Sequence, residues 1–102
     1  MMVRLYRLSE KIVRGSIEVA WITHLCDTAA QVHFEGELNE WEDIRLHLLD
    51  EAGAEIPGKI YGKVTQVQAA EGGRHQATIR FTSVSPEIYQ IIQRTVHEGA
   101  DA

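Results

Sequence analysis

A single cysteine, Cys26, stands in a chain of 102 residues, so neither an internal disulfide nor a cysteine metal cluster is open to it. Apolar runs are short as well. The longest, Val19 to Ile22, has four residues, whereas a membrane helix needs about 20 and a signal-peptide core about 7 to 15. A disulfide scaffold, a membrane span and a secretory leader are therefore not expected, and a cytoplasmic protein is. Proline is scarce, with two residues, and glycine numbers eight, too few for collagen or a low-complexity linker. What remains, 44% hydrophobic and 25% charged residues, is the composition of one folded domain. It is too short for a two-domain enzyme with an interdomain cleft.

The formal net charge of −5 argues against nonspecific nucleic-acid binding, because phosphates would be repelled unless a local basic patch overcame it. The charge is unevenly spread. Residues 1–14 hold Arg4, Arg7, Lys11 and Arg14 against Glu10 alone, while the rest of the chain is strongly acidic. A basic leading segment on an acidic body is a place to receive a small phosphate ligand, or simply a solvated arm.

Hydrophobic residues recur with period two. Ile17, Val19 and Trp21 alternate with polar neighbours, as do Val32 and Phe34, Ile44, Leu46 and Leu48, Ile60, Gly62 and Val64, and Ala77, Ile79 and Phe81. Each run predicts a strand with one buried face. The gaps Asp50-Glu51-Ala52-Gly53 and Glu71-Gly72-Gly73 suit tight reversals, so antiparallel neighbours are expected. Pro57-Gly58 predicts irregular pairing just before the fourth of these strands. Val3, Leu5 and Leu8 fit either an additional edge strand or an extended arm over 1–14.

The period then changes. Ser85-Pro86-Glu87 combines a capping hydroxyl, a proline at the first helical position and an acid at the positive dipole end. Ile88, Ile91, Ile92 and Val96 follow at helical spacing, predicting a helix over about 86–97 that closes one end of a small barrel.

Little in the chain suggests catalysis. The five histidines lack metal-ligand spacing; His33 and His47 fall on the polar faces of strands expected to be neighbours. Cys26 has no local basic activator and reads as a small, at least half-buried residue. No Ser/His/Asp order, phosphate loop or dinucleotide glycine pattern occurs. No enzyme activity, metal or cofactor is expected. Trp21, in phase with Ile17 and Val19, is expected in the core. Trp41, in the acidic stretch Glu40-Trp41-Glu42, either folds back as a lid or stands out as an anchor for a partner.

The segment Ala77-Thr78-Ile79-Arg80-Phe81-Thr82-Ser83-Val84-Ser85-Pro86-Glu87, preceded by Tyr61-Gly62-Lys63-Val64 and followed by an isoleucine-rich helix, resembles the last two strands and closing helix of a PilZ domain. Ala29-Ala30-Gln31-Val32-His33-Phe34 and Asp43-Ile44-Arg45-Leu46-His47-Leu48 resemble that family's second and third strands. The resemblance spans about residues 15–97. It implies a mainly β protein, a six-stranded antiparallel β-barrel with a C-terminal helix, and a part in bacterial cyclic di-GMP signalling.

The family's nucleotide site has two sequence elements. One is R-x-x-x-R on the arm before the barrel, met here by Arg7-Leu8-Ser9-Glu10-Lys11, with lysine for the second guanidinium. The other is [DN]-x-S-x-x-G; started at Asp27, it finds Ala29 in place of the serine and Val32 in place of the glycine. Arg7, Lys11, Arg14 and Asp27 are the residues that would hold the nucleotide if it binds. With both elements altered, the expected role is a noncatalytic regulatory domain that contacts a protein partner, with weak or absent cyclic di-GMP binding. The contact residues expected are Tyr89, Gln93 and Arg94 on the outer helix face and Trp41 in the acidic loop. A ligand sensor using the basic arm is one alternative. An unrelated barrel scaffold or oligonucleotide-binding module is the other, although only Tyr61, between Lys59 and Lys63, offers an aromatic among cations.

Overall fold

The computed structural model describes residues 1–10 and 12–100. These form six strands and a closing helix: β1 Met2–Ser9, β2 Ile12–Leu25, β3 Ala29–Phe34, β4 Asp43–Leu48, β5 Ile60–Ala69, β6 His75–Val84 and α1 Pro86–Ala100, with a short 3-10 turn at Glu71–Gly73. The strands make a closed antiparallel barrel in the order β1-β2-β3-β6-β5-β4, as expected of a mainly β fold with a C-terminal helix.

The leading segment is a wall of this barrel. β1 pairs with β2 on one side and with β4 on the other, from Val3 opposite Leu48 to Leu8 opposite Asp43. It is therefore neither a free arm nor an edge, because its amides and carbonyls are used on both flanks. Lys11 lies outside the described residues.

A register shift decides which side chains of β2 face in. Between Val3 and Leu5 the pairing of β1 with β2 slips, so Leu5 meets Ile17 while Val3 meets Ala20. Such a bulge reverses the inward phase along one strand. Ile17 is buried before it and Ala20 and Ile22 after it, which turns Trp21 onto the outer face. The expectation of a core Trp21 fails for this reason: Arg74 covers the indole from outside, its guanidinium carbon 4.9 Å from the ring centroid.

The interior is filled by Val3, Leu5, Val32, Phe34, Ile44, Leu46, Leu48, Ile60, Val64 and Ile79, all essentially inaccessible. Two glycines allow close approach. A Cβ on Gly62 would fall 2.7 Å from Ile79 Cγ2 and 2.9 Å from the Arg80 carbonyl oxygen. One on Gly58, at φ +102°, would fall 2.7 Å from Ile88 Cγ1.

The helix closes the end where β1 begins and β2 and β6 finish. Ile88 and Ile92 are buried in the core and Ile91 and Val96 pack against it, as the spacing predicted. Ser85 does more than begin the helix. Its hydroxyl accepts the Lys59 amide at 3.0 Å and its own amide donates to the Lys59 carbonyl, so the helix start is sewn to the loop before β5. Among the described residues no helix is long and apolar enough to cross a membrane.

Candidate functional site

The barrel has two unlike ends. The helix, the β2–β3 turn and the loop between β4 and β5 occupy one; the β1–β2 turn, the β3–β4 loop and the β5–β6 turn occupy the other.

At the helix-distal end Trp41 is 65% exposed and sits at φ +68°. The left-handed region is unfavourable for a bulky side chain, at a cost of about 1 to 3 kcal/mol, so its surroundings must hold it there. Two backbone bonds do so: the Trp41 amide donates to the Val64 carbonyl, and the Val64 amide donates to the Glu42 carbonyl at 2.9 Å. Glu42 is fixed in turn by Arg7, whose Nε and Nη2 donate to its two carboxylate oxygens at 2.9 and 2.6 Å. This charge-assisted bonding holds the Arg7 guanidinium above its ordinary pKa. Trp41 thus stands out into solvent and does not fold back as a lid; Leu38, 6% exposed, covers the core at this end.

Of the described residues expected to hold a nucleotide, Asp27 stands apart from Arg7 and Arg14. Arg7 is engaged by Glu42, and Arg14 is exposed on β2 beside Gly15, the cross-strand partner of Arg7. Asp27 is exposed in the β2–β3 turn, at the far end of the fourteen-residue β2. The length of the barrel separates it from Arg7 and Arg14.

The expected partner residues are also split. Tyr89, 47% exposed, and Arg94 lie on the solvent face of α1, at the end opposite Trp41. Gln93 does not belong with them. It is half-buried, its Oε1 is 2.9 Å from His97 Nε2, and its Nε2 is buried without a partner. Cys26 is exposed rather than half-buried, and hydrogen bonding from the Thr28 backbone draws its thiol below the ordinary value. His33 and His47 are not neighbours, because β3 and β4 stand on opposite sides of the ring of strands. His33 bonds Gln76 at 3.0 Å instead.

The outer wall of β1, β4 and β5 carries an array that strand-by-strand reading missed. Tyr6, Arg45 and Tyr61 lie side by side in register on three adjoining strands. Arg45 stacks on Tyr6, its guanidinium carbon 4.9 Å from the ring centroid, and the Lys59 ammonium lies 5.5 Å from the centroid of Tyr61. In the next row Arg4 pairs with Glu18 at 2.7 Å and with Glu55 at 2.9 Å, and Glu55 also accepts the Tyr6 hydroxyl at 2.7 Å. His47 Nδ1 is 3.4 Å from Glu55. Desolvation lowers the His47 pKa, and Arg45, Lys59 and Arg4 add to this against the single opposing carboxylate of Glu55. The imidazole at this contact is therefore neutral near pH 7. The only sequence signal for this wall was Tyr61 between two lysines.

Comparisons of the chain with protein-family models, with curated proteins and with solved structures find no match.

Proposed function

We propose that this chain is a noncatalytic, PilZ-like regulatory domain of bacterial cyclic di-GMP-related signalling, acting in the cytoplasm by contacting a protein partner through Trp41. The observation that carries the reading is the presentation of that indole. A large apolar side chain, two-thirds exposed and held in an unfavourable backbone conformation by Val64 and by the Arg7–Glu42 pair, is costly to keep for packing, since it packs little. Exposed aromatic anchors on rigid supports are what protein interfaces use.

The PilZ-like part of the reading draws support from the closed six-stranded barrel and the helix across one end, the architecture that the resemblance implies. Two further observations favour protein contact over a nucleotide grip. Arg7 is already neutralised by Glu42, and Asp27 lies at the other end of the barrel. The helix face bearing Tyr89 and Arg94 is a separate footprint, because a single small partner motif would not span both ends.

The test is affinity capture with wild type, Trp41→Ala and Arg94→Glu side by side. Loss of a captured protein from Trp41→Ala, with a melting temperature shifted by no more than about 2 °C, supports the reading. Retention of every captured partner by both variants rules it out.

A further inference from the structure

We propose that the outer wall where β4, β5 and β6 meet carries an oxyanion site, formed by Arg45, Lys59, Tyr61 and Ser83, that takes the phosphate group of a small phosphate monoester or of inorganic phosphate. The proposal does not depend on the reading of Trp41.

The wall combines paired and unpaired cations. Lys63 is 3.4 Å from Asp43, and Arg4 is shared between Glu18 and Glu55. Arg45 and Lys59 differ: among the described residues neither has a carboxylate within ion-pairing distance. Both are held in place by aromatic rings instead, Arg45 on Tyr6 and Lys59 on Tyr61. A ring or a phenol positions a cation without neutralising it, which leaves its charge and its remaining donors for an anion.

These cations converge on one place. Arg45 is the cross-strand partner of Tyr61, and Tyr61 is the cross-strand partner of Ser83, so a guanidinium, a phenol and an exposed hydroxyl lie in one row with Lys59 beside it. A depression of about 470 Å³ adjoins the row, lined by Tyr61, Thr82 and Ser83 together with Leu8, Asp43 and Gly62. Two titratable groups respond to the same positive field. Hydrogen bonding from Lys59, with Arg45 behind it, draws the Tyr61 phenol below its ordinary value, and both cations help to lower His47.

The size of the ligand follows from the rest of the surface. Two free cations in a chain of net charge −5 suit one phosphate group, whereas a polyanion would extend over the acidic remainder. Guanidinium, ammonium and hydroxyl donors together match the oxygens of a tetrahedral phosphate.

The experiment is a two-dimensional NMR titration of the full chain with inorganic phosphate and, separately, phenyl phosphate, at constant ionic strength held with chloride. Saturable shifts at Arg45, Lys59, Tyr61 and Ser83, with affinity reduced about tenfold in Arg45→Gln and in Lys59→Gln but unchanged in Arg74→Gln, are expected. Tighter binding of phenyl phosphate identifies a monoester site, and equal binding identifies a site for the free ion; either supports the proposal. Lys59 is exposed, so its variant remains decisive even if Arg45→Gln loosens the wall. Absence of saturation, equal shifts with chloride alone, full retention of affinity in Lys59→Gln, or tighter binding of a short single-stranded DNA would overturn it.

Discussion

Arg7 on β1 grips Glu42 through two parallel hydrogen bonds, and Glu42 is the residue that follows the exposed Trp41. The pair is only partly solvated, with the Glu42 side chain 15% exposed, so solvent screens it less than an ordinary surface pair. It joins the first strand of the barrel to the loop that presents the indole. Arg7→Ala or Glu42→Ala should therefore lower stability by about 1 to 2 kcal/mol. Each should also raise the local mobility of Trp41, read as a fall in steady-state fluorescence anisotropy. Because the anisotropy would carry a contribution from Trp21, it is best measured in a Trp21→Phe background. An unchanged anisotropy would mean that the β5 backbone bonds hold the loop without the ion pair.

Glycine substitutions separate backbone strain from crowding. Gly62→Ala places a methyl group against the Arg80 carbonyl oxygen and the buried Ile79, neither of which has room to retreat. The expected loss is about 2 to 3 kcal/mol. Gly53→Ala meets nothing within 4 Å and bears only its φ of +82°, for which about 1 kcal/mol is expected. Urea unfolding should rank the two in that order, with the m-value unchanged.

The wall around Glu55 sets a dependence on pH. Burial and the cations Arg45, Lys59 and Arg4 depress the pKa of His47 below 6.5, with Tyr6 against its ring and Glu55 as the one opposing charge. The unfolded chain then takes up this proton first as pH falls. The stability that His47 contributes is complete above about pH 6.5 and is lost progressively below it. Glu55 acts lower. Hydrogen bonds from Tyr6 and Arg4 depress its pKa below 4.5, so its contribution is present above that value and lost as pH falls through the folded one. Melting temperatures from pH 8 to pH 5 should fall more steeply for wild type than for His47→Gln. Parallel curves would show that His47 titrates alike in both states.

Much of this architecture is legible in residue order, because period two survives wherever a strand is regular. β3, β4, the inner part of β5 and the helix stripe of Ile88, Ile91, Ile92 and Val96 read directly. The misses have local causes. Bulges at Val3/Leu5 and Arg7/Leu8 break the alternation of β1 and reverse β2, which hides a wall strand and sends Trp21 outside. Gln93 reads as an outer-face residue from spacing alone, yet it is half-buried on the folded helix. The site residues are harder still. Tyr6, Arg45 and Tyr61 become neighbours through register, which no window along one strand contains. The Arg7–Glu42 pair spans 35 positions for the same reason.

The proposed function requires that Arg7 serve the loop of Trp41 in place of holding a nucleotide. Calorimetric titration of the full chain with cyclic di-GMP tests this most directly. Heat no greater than dilution, in wild type and in Arg7→Ala alike, is the expected result. Tight, saturable binding that disappears in Arg7→Ala would contradict it.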